Sequence, residues 1–408
     1  MTYDFTSIME RSGKDAIAVD APAAQVSNGF FPVTKIRDGF SVIPMWVADM
    51  NFPTAPSIPE AIIQRAQHPA YGYFLPTRDY YSAIIQWQKE HNGVTGLAPE
   101  HIGYENGVLG GVVSALRVLC GPGDPVLIQS PTYVGFTHCI EDNGWDIVLN
   151  PLVQDENQVW RMDYEDMERK IVERKIHAAV FCSPHNPAGR VWEHWEIEKA
   201  MEIYRKHDVY VVSDEIWSDL TLPGHQHIPT QSVSEDARMR TIAVYAPSKT
   251  FNLAGLVGSY HIIYNAYLRD RIQKEAKSTH YNNMNVLSMH ALIAAYSPTG
   301  NEWLLQLREV LRDNLQYAVD FIHANFPGVK AQVPDGTYML LMDCTDWCAA
   351  HQVDIETLEK RGISVGVIWQ DGRAFHGPCH IRLNLARPHS LVEEAFDRLK
   401  QYVFVSET

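Results

Sequence analysis

The sequence predicts an α/β fold in which helices flank a mostly parallel central sheet. Four short runs are apolar almost throughout: "PVLIQ" (125–129), "AAVFC" (178–182), "VYVVS" (209–213) and "TIAVY" (241–245). Such runs are typical of strands that are buried on both faces. A segment of helical period and length, "EHWEIEKAMEIYRKH", separates the second run from the third. Strands that alternate with helices in this way favour a parallel sheet.

Polar and aromatic residues follow each of these predicted strands. The strands lead, in chain order, into "SPTY", "SPHNPAGRVW", "DEIWSD" and "APSK". Parallel strands end at the same edge of a sheet, and ligands of such folds bind beyond the carboxyl ends of the strands. We therefore expect the functional site at this edge.

The length of 408 residues predicts more than one domain. We expect residues 1–50 to form an N-terminal arm and part of a small domain. Residues 51–295 are expected to form the large domain, and residues 296–408 a small C-terminal domain of α+β type. In the C-terminal part, "TYMLLMDC" and "HIRLNLA" are typical of strands between helices.

Composition limits the partners that we expect. The formal net charge of −15 disfavours nucleic acid and anionic membranes, and no run of about 18 apolar residues predicts a membrane helix. The N-terminus lacks the apolar core of a signal peptide. Cys344 and Cys348 have the spacing of two packed thiols, and neither cysteine nor histidine spacing indicates a metal site. We expect a cytoplasmic protein without a metal ion.

A single lysine, Lys249, lies just beyond the fourth strand, in "YAPSKTFNLAGL" (245–256). Its stem could pack while its amine reaches water, or the amine could be partly desolvated and form a Schiff base. Asp214 follows the third strand and is expected at the same edge of the sheet. It could cap a helix, or it could pair with a protonated pyridine nitrogen and so keep the ring an electron sink.

Glycines open a helical pattern in "ENGVLGGVVSAL" (105–116). A turn at Gly107 into a helix N-terminus would suit a phosphate, although any tight strand–helix turn has the same pattern. Tyr133, in "SPTYVGF", could stack on a planar ring or pack in the core. Asn186 precedes a proline on a loop and could bond a ring hydroxyl. Arg382, among apolar neighbours in "HIRLNLA", suits a carboxylate or a buried ion pair. Together these groups predict a site for pyridoxal phosphate and an amino acid.

The same segments carry a resemblance to a known family. "SPHNPAGRVW", "SDEIWSDL" and "PSKTFNLAGL", in this order, resemble the fold-type I pyridoxal-phosphate enzymes of the aspartate aminotransferase superfamily. "IPMWVADMNFPTAPSIPEAI" and "YGYF" narrow the resemblance to the MalY/PatB group of cystathionine β-lyases, or cysteine-S-conjugate β-lyases. The similarity extends over nearly the whole chain, from about residue 30 to 390. It implies a fold-type I transferase-like fold and pyridoxal 5'-phosphate as cofactor.

The resemblance also implies roles for individual residues. Lys249 would bind the cofactor covalently, with Ser248 beside it, Asp214 would meet the pyridine nitrogen and Asn186 the ring hydroxyl. Tyr133 would stack on the ring, near Trp217. The backbone amides of Gly107, Val108 and Leu109 would hold the phosphate. Arg382 would bind the substrate α-carboxylate, and Trp46, Ala48 and Asp49 would lie at the substrate entrance. Tyr73 would reach the active site of the partner subunit, which implies a homodimer.

Four positions depart from the family pattern. Many relatives have a serine where this chain has Ala246, and aminotransferases commonly have a tyrosine where it has Trp217. An arginine that grips the phosphate is replaced by Val257, and "ADMDF" of the lyases becomes "ADMNF", with Asn51.

The implied reaction is the β-elimination of a small sulfur amino acid. Lys249 would remove the α-proton, and the carbanion would expel the β-sulfur. The aminoacrylate that leaves would hydrolyse to pyruvate and ammonia. Two alternatives remain at this point: an aminotransferase that uses the same cofactor, and a regulatory protein that keeps the fold while a protein partner is its target.

Overall fold

The chain forms two compact units. The computed structural model describes residues 2–23, 32, 34–280 and 282–405. Unit 1 comprises residues 1–53, 187–189 and 306–408, and unit 2 comprises residues 54–186 and 190–305. The short segment 187–189 belongs to unit 1 although the chain on both sides of it belongs to unit 2, a division that the sequence did not indicate.

The strands and helices of the described residues are numbered in chain order. The strands are β1 Ile43–Pro44, β2 Ile102–Asn106, β3 Pro125–Ser130, β4 Asp146–Gln154, β5 Trp160–Met162, β6 Ala178–Cys182, β7 Tyr210–Asp214, β8 Thr241–Tyr245, β9 Gly258–Ile262, β10 Lys330–Ala331, β11 Met339–Asp343, β12 Val367–Ile368, β13 Gln370–Asp371 and β14 His380–Asn384. The α-helices are α1 Ile17–Ala23, α2 Ser57–Ala66, α3 Arg78–Asn92, α4 Val108–Leu119, α5 Val134–Glu141, α6 Tyr164–Arg174, α7 His194–Lys206, α8 Glu235–Arg240, α9 Ala266–Thr279, α10 Val286–Ala295, α11 Pro298–Asn325, α12 Thr345–His351, α13 Ile355–Ser364 and α14 His389–Arg398.

Unit 2 is built on an eight-stranded sheet with the order β2-β9-β8-β7-β6-β3-β4-β5. All neighbours from β8 to β4 pair in parallel. β9 is antiparallel to β8 and β2, and β5 is antiparallel to β4. The prediction of a mostly parallel central sheet flanked by helices is confirmed, and the antiparallel pairs lie at its two sides.

The four apolar runs are four adjacent strands of this sheet, β8, β7, β6 and β3. Every residue of β6 and β8 is buried. Helix α4 packs in the same core, where its Val112 and Leu116 join Val180 and Val244 in one buried cluster. Each such side chain stabilises the fold by about 1.5–3 kcal/mol, so this core fixes the strand ends to which the polar residues are attached.

Helix boundaries follow local signals in the sequence. The Thr77 hydroxyl accepts a hydrogen bond from the N–H of Tyr80 at the start of α3, and the helix ends at Gly93, whose φ is +66°. The predicted helical segment 193–207 is confirmed as α7. No helix within the described ranges is long and apolar enough to cross a membrane.

Unit 1 contains a four-stranded antiparallel sheet, β10-β11-β14-β13, and a parallel pair of β1 and β12. "TYMLLMDC" and "HIRLNLA" supply β11 and β14, as predicted. Leu341 pairs with Arg382 in this sheet, so a fixed strand carries the arginine.

Candidate active site

Three of the predicted residues follow neighbouring parallel strands of unit 2. Asn186 comes after β6, Asp214 is the last residue of β7, and Lys249 comes after β8. The register pairs Cys182 with Asp214, and Asp214 with Val244. These strands therefore end together, and the expectation that the three residues share one edge of the sheet is met.

Asp214 is a buried carboxylic acid close to Lys249. Its side chain accepts a hydrogen bond of 3.0 Å from the N–H of Ile216, and the residue is 4% exposed. Burial raises the pKa of Asp214 to about 7, although the Ile216 N–H and the charge of Lys249 both act to lower it. A carboxylate that burial disfavours gains most from a cation placed beside it.

Lys249 lies in a tight turn beyond β8. The turn is closed by two backbone hydrogen bonds, from Phe251 N–H to the Pro247 carbonyl and from Leu253 N–H to the Ser248 carbonyl, each 2.9 Å. The lysine is half-buried, and its Nζ lies 6.0 Å from the centroid of the Trp217 ring. Lys249 thus reaches towards Asp214 and Trp217 from a well-defined turn.

The N-terminus of α4 provides an end that can bind an anion. Between β2 and α4, Gly107 has φ +77° and ψ 156°, a conformation that favours glycine. The N–H groups of the first helical turn have no partner inside a helix, and the helix dipole adds positive potential there. A Cβ at Gly111 would lie 3.0 Å from Val244, so this glycine lets α4 pack closely on β8.

Val257 lies next to this end of the helix. A Cβ at Gly107 would be 3.8 Å from Val257 Cγ1, and the Val257 carbonyl accepts a hydrogen bond of 3.2 Å from the Tyr104 hydroxyl. Val257 has φ +53°, which is strained for a β-branched residue. Because valine carries no charge and Ala246 no hydroxyl, neither side chain can make a polar contact with a phosphate.

Tyr133 is adjacent to the same region. The residue caps α5, is half-buried and makes an edge contact with Phe136 at 5.6 Å. A Cβ at Gly135 would lie 2.4 Å from Tyr133 Cε1 and 2.9 Å from Leu109 Cδ1. Glycine at this position therefore allows the tyrosine ring and the start of α4 to lie side by side.

Arg382 and the segment 46–49 lie in unit 1. The Arg382 guanidinium is 4.5 Å from the Phe375 ring centroid, and its Nη2 donates to the Trp46 carbonyl at 3.2 Å. The Ala48 carbonyl accepts from the Tyr338 hydroxyl at 3.0 Å. Arg382 is thus buried and oriented by the segment in which Trp46 and Ala48 were predicted to meet substrate.

Asp49 is held between two arginines of unit 1. Arg11 Nη2 lies 2.6 Å from Asp49 Oδ2, and Arg387 Nη2 lies 3.6 Å from Asp49 Oδ1. Burial lowers the pKa of Arg387 to about 10, against the attraction of Asp49. Asp49 is therefore part of an ion-pair cluster, which the sequence did not reveal.

Tyr73 is fully exposed in unit 2. It belongs to a loop on which Tyr71 and Leu75 are also exposed. This loop lines a cavity of about 860 Å³ together with Tyr104 and residues 282–287. Among the residues that the structure describes, none covers the Tyr73 side chain.

Sequence reasoning missed two groups of buried polar residues behind the strand ends. Glu215 accepts hydrogen bonds from His227 at 2.7 Å and from Tyr245 at 2.5 Å. Burial alone would raise the pKa of Glu215, but His227 and the other donors outweigh it and lower the pKa. Asp219 accepts from Trp87 and from Thr250. The two acids stand in the quoted "SDEIWSDL", but their partners are distant in sequence, so no local signal pairs them.

The residues of unit 2 fit pyridoxal phosphate. Glycine at 107 leaves the N-terminal amides of α4 open to a phosphate, and glycine at 135 leaves room for the Tyr133 ring. Asp214 is a buried acid that a protonated ring nitrogen would satisfy. Lys249 is the amine beside it. This donor set therefore suits a phosphate, an aromatic ring with a basic nitrogen and an aldehyde.

The chain matches one family and several characterised proteins over nearly its whole length. Residues 42–399 match the model of aminotransferase class I and II. Cystathionine β-lyase PatB from Bacillus subtilis is 33% identical, covering 88% of this chain and 92% of that protein. Protein MalY from Escherichia coli is 31% identical, covering 96% of each chain. The pyridoxal-phosphate-containing structure of cystalysin from Treponema denticola has a TM-score of 0.90 and 31% identity, and the match covers 98% of each chain. The protein belongs to the aminotransferase class I and II family.

Proposed function

We propose that the protein is a pyridoxal-phosphate-dependent carbon–sulfur β-lyase. It cleaves L-cystathionine or a related cysteine S-conjugate to a thiol, pyruvate and ammonia. The observation that carries the proposal is the buried Asp214 beside Lys249 at the ends of adjacent strands. Two similar proteins support the proposal. PatB is named a cystathionine β-lyase, and the structure of cystalysin contains pyridoxal phosphate.

Lys249 and Asp214 carry the central chemistry. Lys249 would hold the cofactor at its aldehyde, and its free amine would take the α-proton of the substrate. Asp214 keeps a proton on the ring nitrogen, because a buried carboxylate gains from the adjacent cation. When bound, pyridoxal phosphate supplies an electron sink for the charge that remains on the α-carbon. With Lys249 holding the α-proton, the β-sulfur leaves as a thiolate.

The other site residues bind and orient the cofactor and the substrate. Asn186 bonds the ring hydroxyl, Tyr133 stacks on the ring, and Trp217 and Ser248 flank the lysine. The amides of Gly107, Val108 and Leu109 hold the phosphate without help from a charged side chain at Val257. Arg382 binds the α-carboxylate of the substrate with its planar fork of donors. Trp46, Ala48 and Asp49 border the path of the substrate.

We further propose that the protein acts as a homodimer in the cytoplasm. The loop with Tyr71, Tyr73 and Leu75 exposes large apolar side chains next to a wide cavity, and contiguous apolar surface of this kind marks protein interfaces. Tyr73 would complete the active site of the partner subunit. All six cysteines are free thiols, as suits a reducing compartment.

One assay tests the reaction type. With L-cystathionine or an S-substituted cysteine and no added keto acid, pyruvate and ammonia should form in equal amounts, together with a thiol. The reaction should continue through many turnovers, because elimination regenerates the aldehyde form of the cofactor.

The competing proposal is an aminotransferase, because the matched family is described by that activity. Transamination converts the cofactor to its amine form, so that activity would stall until a keto acid was supplied. Activity that requires this acceptor and releases no thiol would replace the lyase proposal with the aminotransferase.

A further inference from the structure

Asp219 is a buried carboxylate that joins the turn of Lys249 to helix α3. Its Oδ2 accepts a hydrogen bond of 2.9 Å from the hydroxyl of Thr250, the residue that follows the lysine. Its Oδ1 accepts a hydrogen bond of 2.9 Å from Trp87 Nε1. Asp219 is 6% exposed and Thr250 is completely buried. All three residues belong to unit 2.

Both partners of Asp219 are themselves fixed. Trp87 is stacked between His91, at 3.8 Å, and Tyr296, at 4.6 Å with nearly parallel rings. Thr250 is β-branched and therefore has few side-chain rotamers. The position of the Thr250 hydroxyl is thus determined from α3 through two hydrogen bonds.

Burying this carboxylate has a cost. No basic side chain among the described residues forms an ion pair with Asp219, whose two oxygens are satisfied by an indole and a hydroxyl. Burying a carboxylate without a cation is costly, and only its hydrogen bonds offset that cost. What this carboxylate holds directly is the side chain of Thr250, the residue next to Lys249.

Asp219 also lies in the loop that carries two residues of the site. The loop begins at Asp214, and Trp217 lies 6.0 Å from Lys249 Nζ. The bond to Thr250 therefore ties the loop that follows β7 to the turn that follows β8, at the residue next to the lysine. Lysine has four rotatable side-chain bonds, so its amine is placed reproducibly only if the backbone at its root is fixed.

We propose that Asp219 is a positioning residue, which acts through Thr250 to orient Lys249 for attachment of the cofactor and for proton removal. The inference rests on the role of Lys249 proposed above. It assigns the function to the two hydrogen bonds rather than to the charge of Asp219. Asparagine could make both bonds, accepting from Trp87 with its oxygen and donating to Thr250 with its amide nitrogen.

The decisive variant is Thr250→Val, which removes the hydroxyl with almost no change of shape. After removal and return of pyridoxal phosphate, covalent attachment should be slowed by about tenfold, the effect expected from losing one buried hydrogen bond. In the reconstituted enzyme, kcat should fall with little change in KM. The pH titration of the bound cofactor's absorbance should also shift. Thr250→Ser and Asp219→Asn keep the hydrogen bonds and should stay close to wild type.

Thr241→Val is the matched control. Thr241 is equally buried, stands at the start of β8, and its hydroxyl has no hydrogen-bond partner among the described residues. The same substitution there should leave attachment, absorbance and kcat unchanged. A similar loss in both valine variants would overturn the proposal, because the effect would then come from the core of the strand.

The remaining outcomes also decide whether the hydrogen bond positions Lys249 or is only structural. Normal attachment and kcat in Thr250→Val, with only a lower melting temperature, would mean that the hydrogen bond is structural and the proposal is wrong. If Thr250→Val does not fold, Trp87→Phe serves instead, since it removes the outer hydrogen bond together with part of the ring packing. It should show a smaller slowing of attachment, and a wild-type rate would count against the proposal. Borohydride reduction followed by peptide mapping tests the role of Lys249 separately from the role of Asp219. A label on a lysine other than Lys249 in wild type would refute the proposed role of Lys249 itself.

Discussion

At the scale of single residues, the site depends on how burial changes ordinary side chains. Asp214 and Lys249 are common residue types. By itself Asp214 could cap a helix, and Lys249 could pack its stem while its amine reaches water. Their environment decides otherwise, since Asp214 is buried with a pKa raised to about 7 and the charge of Lys249 acts on it. A buried acid beside a half-buried amine is a pair that suits a cationic ring and an aldehyde.

Replacing Lys249 by Ala should abolish turnover. Both the covalent anchor and the proton acceptor are lost, so kcat should fall by about a thousandfold or more, while the fold and its melting temperature change little because the side chain is half-buried. A coupled assay for pyruvate measures the first effect and calorimetry the second. Lys206→Ala, on the exposed face of α7, is the matched control. Retention of full activity in Lys249→Ala would refute the assigned role.

Asp214 should make the stability of the cofactor-free protein depend on pH. Its pKa is 3.8 in the unfolded chain and about 7 in the folded protein. The folded state therefore binds the proton more tightly, and the stabilisation that this gives is fully present below pH 3.8 and is lost as pH rises through 7. The difference corresponds to at most about 4 kcal/mol.

The test compares wild type with Asp214→Asn, both without cofactor, by urea unfolding between pH 5 and 8. The wild-type free energy of unfolding should decrease with pH relative to that of the variant, which cannot titrate at this position. Parallel curves would show that Asp214 is already ionised at pH 5.

At the scale of elements, the N-terminus of α4 is the part of the site that depends on backbone alone. Gly107 adopts a conformation that disfavours a side chain, and Gly111 allows α4 to approach β8. Val257, beside it, offers no charge. We therefore expect the phosphate to be bound mainly by the amides and the dipole of the helix.

Replacing Gly107 by Ala should weaken cofactor binding. Alanine at φ +77° forces the turn to change and shifts the first amides of α4, so the Kd for pyridoxal phosphate should rise by about tenfold or more, a loss of about 1.4 kcal/mol. Equilibrium dialysis of the cofactor measures it. Gly93→Ala is the matched control, because Gly93 also has a positive φ, of +66°, at the end of α3 with open space around its Cα. Both variants should be less stable than wild type, but only Gly107→Ala should bind pyridoxal phosphate more weakly. Equal affinities in the two variants would refute the assignment of Gly107 to the phosphate site.

At the scale of the whole molecule, the exposed loop of Tyr73 supports the proposal that two chains together complete each active site. Tyr73 is fully exposed between an exposed Tyr71 and an exposed Leu75, so no described residue of its own chain covers it. Its place in a site would come from a second copy.

Hybrid dimers test this. Tyr73→Phe and Lys249→Ala should each be nearly inactive, but a mixed dimer would contain one site with both native residues. Mixing the two variants should therefore restore activity, up to about one quarter of wild type for random association into dimers with one intact site in half of them. No recovery, once mass spectrometry has shown that mixed dimers form, would count against a shared site.

Much of unit 2 was predictable because its signals are local. The strands at 178–182 and 241–245 have the bounds that their apolar runs suggest, since a strand buried on both faces must be apolar at every position. Asp214 and Lys249 follow such strands and were placed at one edge for the same reason. The antiparallel direction of β9 was not predicted, because strand direction depends on the connection and not on the run itself.

The sequence by itself determined which polar residues come at the end of which strand, the glycine turn before α4 and the residue types of the site. These follow from periodicity and from adjacency along the chain. Only the tertiary structure decided the pairing of Asp219 with Trp87 and Thr250, the capture of Asp49 by Arg11 and Arg387, and the burial that raises the pKa of Asp214. These depend on residues separated by tens to hundreds of positions, and hydrogen bonds and desolvation act through space, so no local pattern encodes them.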